Sequence, residues 1–272
     1  MSQYVKKIRT EAGDLQIDYN SLANLPTHSN PNLLINSDFR NPVNQRGETI
    51  LTTNDEWWTK VYFIDRWYVQ HGATVEVLDG YVKASASDTT TAGYFCQVFE
   101  HALNENTYTA TINVKSITGT VKVYQTALVE GINVITTTGP LSSLEIQLMP
   151  SASVELYWVK LEQGTTATPF VPRLYAEEMV LCKRYYQYYD RTPIYGASST
   201  SVTYFAPIQF CPSMRSNPTK KLVSILNSSA TEQTDVTLVQ CVSTVYNVAN
   251  IQLSKTIGQY GYITIVFDAE IY

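Results

Sequence analysis

The feature that most constrains the fold is a series of short strand-like segments, separated by turn residues, over residues 33–172. Segments rich in Val, Ile, Thr and Tyr alternate with turns such as Asp79-Gly80 and Gly139-Pro140. No helical hydrophobic period separates them, so the pattern favours an antiparallel jelly-roll sandwich. The predicted strands are Val61–Tyr68, Thr74–Leu78, Tyr94–Phe99, Thr107–Val114, Thr120–Tyr124, Gly131–Thr136, Leu144–Leu148 and Val154–Glu162.

A single segment, residues 173–189, has the composition of a helix. Glu177 near its start and Lys183 near its end complement the helix dipole. Residues 190–272 return to strands, which indicates a domain boundary and a second, smaller β-sandwich. The strands predicted there are Ser201–Phe205, Ile208–Cys211, Lys221–Leu226, Val236–Cys241, Asn250–Leu253 and Tyr262–Glu270.

Residues 1–32 form a polar leader that ends in a turn-rich link containing Pro26. Leu15, Ile17 and Tyr19 alternate with polar residues, which is compatible with a short strand. Such a leader has too little apolar surface to fold alone, so it must dock on the rest of the chain, on a sister copy or on another protein. The predicted fold class is therefore all-β: a leader, a jelly roll, a short helix and a C-terminal β-sandwich.

Composition argues against several classes of protein. Charged residues make up only 16% of the chain and the net charge is −5, with no basic stripe of the kind that nucleic-acid binding needs. No apolar run approaches the roughly 18 residues of a membrane-spanning helix. The four cysteines contain no CxxC pair, which favours reduced thiols in a protein assembled in a cytoplasm. We therefore expect no nucleic-acid partner and no membrane insertion.

Signals for an enzyme are weak. The sequence contains no GxSxG, HExxH or P-loop motif. His28, His71 and His101 all lie in polar or turn-rich contexts. Asp55 and Glu56 are neighbours in sequence, unlike the opposed carboxylates of a glycosidase. We expect a protein without catalytic residues or a cofactor.

The motif Asp65-Arg66-Trp67 has a structural interpretation. If residues 61–68 form one strand, Trp67 and Asp65 face the same side and Arg66 the other. Trp67 then belongs to the core, and Asp65 accepts hydrogen bonds that close a loop.

Trp57, Trp58 and Tyr62 are the candidate glycan-binding residues. Adjacent tryptophans in an extended chain point to opposite faces, so both are not expected in the core. An exposed aromatic ring beside carboxylates such as Asp55 and Glu56 can cover the C–H face of a sugar while the acids bind hydroxyls. In the alternative interpretation, one tryptophan closes the end of the sandwich and the other packs on a sister chain.

Asn36, Asp38 and Glu162 are candidates for a structural calcium site. Calcium binds six to eight oxygen ligands, and Asp38 and Glu162 would supply two of them. The sequence has no DxDxDG loop, and the alternative is a pair of solvated or capping carboxylates.

Four tyrosines predict an oligomer interface. On a helix, Tyr185, Tyr186, Tyr188 and Tyr189 nearly encircle the axis, and a helix that is apolar all round is normally enclosed. Three sister helices in a homotrimer would enclose it and would cover sheet edges as well. Alternatively, the helix packs between the two domains of its own chain.

Several longer motifs resemble one family. NLLINSDFRNPVNQRG, FIDRW and YWVKLEQGTTATPFVPRLYAEEMVLCKRYYQ, together with PSMRSNPT and FDAEIY, are similar to segments of bacteriophage and prophage tail-fibre or receptor-binding proteins. These fibres carry a jelly roll similar to carbohydrate-binding modules. The leader IRTEAGDLQIDYNSLANLP also resembles segments of phage head-decoration fibres.

The resemblance implies a virion component, assembled in the bacterial host cytoplasm, that forms a homotrimer and binds a host surface glycan without cleaving it. Residues 1–26 would attach it to another virion protein. The first alternative is a structural head or tail connector that binds no receptor. The second is a depolymerase of surface polysaccharide.

Overall fold

The computed structural model describes residues 7–10, 13–16, 29–53, 59–87, 89–198, 200–243 and 249–272. Within these ranges almost all regular structure is antiparallel β-sheet, together with one short helix. Near the start of the chain, β1 (Lys7–Thr10) pairs with β2 (Gly13–Gln16) as a small hairpin. The strand expected around Leu15 is therefore present, while Ile17 and Tyr19 lie outside the described residues.

The larger domain consists of two six-stranded antiparallel sheets. Its strands are β3 (Ile50–Thr52), β4 (Val61–Tyr62), β5 (Tyr68–Gln70), β6 (Ala73–Leu78), β7 (Tyr81–Ala86), β8 (Gly93–Leu103), β9 (Thr107–Thr118), β10 (Val121–Val123), β11 (Thr126–Ala127), β12 (Gly131–Thr138), β13 (Leu141–Leu148) and β14 (Ser153–Gln163). One sheet has the spatial order β12, β9, β14, β7, β6, β3, and the other β11, β10, β13, β8, β5, β4. Buried residues of both sheets share one hydrophobic core, which makes this domain a sandwich.

Side chains alternate between core and solvent along these strands, as a half-buried sheet requires. In β13, Leu144 and Ile146 are fully buried, whereas the intervening Glu145 is exposed. Trp67 lies in the core, with its ring centroid 4.9 Å from that of Phe95. The outer faces of the sheets are therefore left to polar and aromatic side chains.

The helix α1 (Tyr175–Lys183) follows the sandwich. The Glu177 carboxylate accepts a hydrogen bond from the backbone N–H of Leu174 at 3.3 Å, and Lys183 lies in the last turn, as the helix dipole favours. The predicted extent of 173–189 was too long, because the chain turns at Arg184 and continues directly as a strand. The run of tyrosines after this turn has a high β propensity and pairs within a sheet.

The smaller domain is one curled six-stranded sheet. Its strands are β15 (Tyr186–Gly196), β16 (Thr203–Ala206), β17 (Thr219–Asn227), β18 (Leu238–Ser243), β19 (Ala249–Leu253) and β20 (Tyr260–Asp268), in the spatial order β17, β20, β15, β16, β19, β18. The outer strands β17 and β18 approach each other, so the sheet closes around a core that includes Ile194, Tyr204 and Phe267.

The predicted fold class is confirmed: an all-β chain with a sandwich, a helix and a smaller C-terminal β domain. Two predicted strands were wrong. Val61–Tyr68 is a hairpin in which β4 and β5 flank a turn, and Ile208–Cys211 forms no strand. Pro207 and Pro212 restrict the latter segment, since neither can donate to a ladder. Tyr81–Ala86 was missed as a strand.

Candidate functional site: a cleft between the two β domains

The turn at residues 63–67 lies at the junction of the two domains. Arg66 has a positive φ of 73°, and the N–H of Phe63 donates to the carbonyl of Trp67 at 3.0 Å, so the chain reverses here. The expected alternation along one strand was therefore wrong. The assigned roles are confirmed, because Trp67 is fully buried and Asp65 accepts a hydrogen bond from Gln45 Nε2 at 2.7 Å.

A buried cluster of charges joins the domains across this turn. Arg66 forms an ion pair with Glu270, whose Oε1 also accepts the Arg66 backbone N–H at 3.1 Å. Arg46 Nη1 lies 3.0 Å from Asp65 Oδ1, and its Nη2 lies 3.5 Å from Asp268 Oδ2. The cluster thus contains three carboxyl groups and two guanidinium groups.

Burial within this cluster changes the protonation of Asp65. Burial raises the pKa of Asp65 to about 7, although Arg46 and the hydrogen bond from Gln45 favour the charged form and lower it. Burial lowers the pKa of Arg46, but Asp65 and Glu270 more than offset this, so its pKa lies above its ordinary value. The guanidinium groups therefore stay charged, and the raised pKa of Asp65 lets this carboxylate take up a proton near neutral pH.

The four tyrosines predicted to lie on an oligomerisation helix do not lie on the helix. Tyr185 and Tyr186 are buried inside the chain's own domain junction. The guanidinium carbon of Arg66 lies 3.7 Å from the ring centroid of Tyr185, and that of Arg46 lies 3.9 Å from the ring of Tyr186. This corrects the predicted interface, because these rings need no sister chain to cover them.

Tyr188 and Tyr189 point to opposite faces of β15, as neighbouring strand residues do. Tyr189 packs against Phe267 at a ring-centroid distance of 5.7 Å. Tyr188 is 43% exposed. Of the four tyrosines, only Tyr188 therefore offers an open ring, and the homotrimer stays a prediction without their support.

A cleft of about 830 Å³ opens beside the ion cluster, between the two domains. Its C-terminal wall consists of two register lines across β15, β20 and β17, which are Tyr186–Asp268–Thr219 and Tyr188–Val266–Lys221. The opposite wall comes from residues 45–48 and 60–62 of the sandwich, and Tyr272 closes one side.

Tyr62 supports this cleft rather than opening into it. It is 6% exposed, and its hydroxyl donates to the carbonyl of Ile271 at 2.8 Å. Its ring lies 5.4 Å from the ring of the exposed Tyr272. Lys60 Nζ donates to the same Ile271 carbonyl at 3.2 Å. Tyr62 thus holds the C-terminal segment against the sandwich.

Trp57 and Trp58 lie outside the part of the chain that the structure describes. Lys60, two residues after Trp58 in sequence, lines the cleft. Sequence reasoning did not assign Arg46, Asp268 or the exposed rings of the cleft to a binding site. Arg46 lies in the motif NLLINSDFRNPVNQRG and Asp268 in the ending FDAEIY, but neither motif indicates that the two side chains meet.

The calcium candidates do not come together. The Asp38 carboxylate pairs with Arg40, with Nε–Oδ1 at 2.7 Å. Glu162 is buried and accepts hydrogen bonds from the Thr168 N–H at 2.8 Å and hydroxyl at 2.5 Å. Asp38 bridges to Trp158, four residues before Glu162 on β14, so the two carboxylates lie about 13 Å apart along the strand.

Asn36 is also occupied, because its amide nitrogen donates to the carbonyls of Val43 and Asp65, both at 2.8 Å. Asn36, Asp38 and Glu162 therefore do not share one site in the structure, and a structural calcium stays a prediction. Within the described ranges, no group of three or more His, Cys, Asp or Glu side chains is placed to hold a metal ion.

No family model, curated protein or solved structure matches this chain. Among the described residues, no helix has the length and apolar character needed to cross a membrane.

Proposed function

We propose that this chain is a bacteriophage or prophage fibre component that binds a host cell-surface glycan without cleaving it. The observation that carries the proposal is the cleft between the two β domains, which combines exposed tyrosine rings with charged and polar side chains. The sequence resemblance to tail-fibre and receptor-binding proteins supplies the biological setting. The all-β architecture agrees with that setting.

The chemistry of the cleft suits a sugar. The exposed rings of Tyr188 and Tyr272 offer apolar faces for sugar C–H groups. Lys221, Glu48 and Asp268 supply charged donors and acceptors for hydroxyl groups along the walls. The cleft contains cations and anions together, so it favours no strongly charged polymer.

Adsorption of the labelled, purified chain to host cells tests this proposal. Tyr188→Ala should lower cell binding without shifting the thermal midpoint, because its ring is open to solvent and supports no core. Tyr175→Ala is the matched control, since Tyr175 is 47% exposed on α1 and does not line the cleft. Equal adsorption by the wild type and both variants would contradict the proposal and favour a structural fibre without receptor binding.

The same preparation tests the enzymatic alternative. Release of reducing ends from host surface polysaccharide would make the protein a depolymerase. Unchanged polysaccharide that still blocks adsorption of the labelled chain would support binding without cleavage.

The remaining parts of the proposal concern assembly. Residues 1–26 attach the chain to another virion protein, and three chains form the fibre. Three copies would raise the avidity of a weak sugar site. Deletion of residues 1–26 should abolish incorporation into particles and leave the body of the chain folded. Light scattering that shows a stable monomer at micromolar concentration would contradict the trimer.

A further inference from the structure

A groove of about 280 Å³ lies on the outer face of the sheet that contains β13, away from the cleft. Its floor is one register line, in which Tyr94 on β8 is opposite Gln147 on β13, and Gln147 is opposite Lys122 on β10. Tyr124 and Pro140 form its walls. The floor therefore carries an aromatic ring, an amide and an ammonium group side by side.

The polar groups of the groove have hydrogen-bonding capacity left for a ligand. Gln147 Nε2 donates to the hydroxyl oxygen of Tyr94 at 3.0 Å, which leaves the phenol hydrogen and the Gln147 amide oxygen available. Glu145 is exposed. Its Oε1 accepts a hydrogen bond from the Ser143 hydroxyl at 2.9 Å, which leaves Oε2 to accept one from a ligand. These groups are fixed relative to one another by the strands, so they present a defined set of donors and acceptors.

The turn that carries Tyr124 is unusual. Val123 pairs with Thr126, so Tyr124 and Gln125 are the two residues of a tight hairpin turn, with φ values of 46° and 65°. Such turns normally take Asn-Gly, because side chains disfavour positive φ. Unfavourable backbone conformations of this kind tend to be retained at ligand sites. Here the turn places Tyr124 and Gln125 on the rim of the groove.

From these observations we infer that the groove binds a neutral sugar unit, as a second site separate from the cleft. The described lining residues include one cation, Lys122, and one anion, Glu145, so this part of the groove carries no net charge that would favour an acidic or basic polymer. A sugar ring stacks on Tyr94, and its hydroxyls form hydrogen bonds with Gln147 and Glu145.

The groove and the cleft have separate linings, although Tyr94 of the groove and Tyr62 of the cleft belong to one aromatic cluster on the outer face of the sheet. Tyr62 lies on β4 at one edge of the sheet, whereas Gln147 lies on β13, three strands away. At the usual strand spacing this is about 14 Å. Among the residues that the structure describes, none lines both sites. A chain with both sites would contact a surface glycan at two points.

A glycan array of uncharged and anionic oligosaccharides, followed by calorimetric titration of the best uncharged binder, tests the inference on the full chain. Tyr94→Ala and Gln147→Ala should each weaken that binding about fivefold to tenfold. Tyr81→Ala is the matched control, because Tyr81 is also half-buried but lies on β7 of the other sheet. Near-wild-type thermal midpoints would show that the groove variants are folded, and Gln147→Ala removes the amide while retaining the Tyr94 side chain.

Three results would overturn the inference. The first is an array on which no uncharged glycan binds, and the second is an equal loss of glycan affinity in Tyr81→Ala and Tyr94→Ala. The third is glycan binding that survives both groove substitutions but is lost in Tyr188→Ala. The last result would leave the proposed function intact and assign all sugar binding to the cleft. Loss of binding in the groove variants alone would support the second site even if the cleft binds nothing.

Discussion

Replacing Asp65 with asparagine should change how the stability of the protein depends on pH. Asp65 is fully buried in a cluster with one more carboxyl group than guanidinium groups, and burial raises its pKa to about 7 from an ordinary value of 3.8. Because the folded-state pKa is the higher one, the stabilising contribution is fully present below about pH 4. It is lost as the pH rises through 7.

The magnitude follows from that difference. About three pH units at 1.36 kcal/mol each correspond to about 4 kcal/mol of stability lost between pH 4 and pH 8. Asp65→Asn keeps the shape of the side chain and mimics the protonated carboxyl group, so the variant should lack this loss. Between pH 4 and pH 8, the free energy of unfolding of Asp65→Asn should therefore rise by about 4 kcal/mol relative to that of the wild type.

Urea unfolding at several pH values between 4 and 8, followed by tryptophan fluorescence, measures both proteins. Asp38→Asn is the control for removing one carboxylate, because Asp38 pairs with Arg40 at the surface of the sandwich. Parallel curves for the wild type and Asp65→Asn would refute the reasoning. So would a wild type that gains stability relative to the variant as the pH rises, since this would mean that Arg46 lowers the pKa of Asp65 more than burial raises it.

Three further predictions concern the junction, the core and the tryptophans. Arg66→Ala should cost about 3–5 kcal/mol in urea unfolding, because it removes the buried ion pair with Glu270 and leaves that carboxylate only the longer contact with Arg46, at 3.7 Å. A loss below 1 kcal/mol would contradict this and show that Arg46 or water takes over the role of Arg66. Trp67→Ala should also cost about 3–5 kcal/mol, since the ring is fully buried in the sandwich, and an unchanged urea midpoint would contradict that placement. Trp57→Ala and Trp58→Ala should lower adsorption to host cells without changing the thermal midpoint. A drop of several degrees would instead identify a core tryptophan.

Local patterning was sufficient to predict most of the sandwich. Val154–Glu162 and Thr107–Val114 were recognised because β-branched and aromatic residues run between turn signals, and both lie within longer strands of the structure. The charges of Glu177 and Lys183 correctly located the helix. These features depend on residues near one another in sequence, which a pattern can register.

The failures occur where tertiary contacts decide the outcome. The tyrosines after Arg184 are compatible with a helix or a strand. They form a strand because their backbone pairs with β20. Arg66 reverses the chain with a positive φ, which is uncommon for arginine. Its backbone N–H donates a hydrogen bond to Glu270, 204 residues away in sequence. No local pattern contains a partner at that distance, so neither the charge cluster nor the cleft beside it was predictable.

The cleft belongs to neither domain alone. Arg46 comes from the sandwich and Asp268 from the C-terminal sheet, and their ion pair lies at the base where the two walls meet. Moving one domain against the other would separate the buried Arg66–Glu270 pair, which costs several kcal/mol when one charge is left without its partner. The walls are therefore held in place before any ligand arrives. A site of fixed shape loses less binding free energy to ordering, so even a few stacking contacts with a sugar in the proposed site would give a measurable affinity.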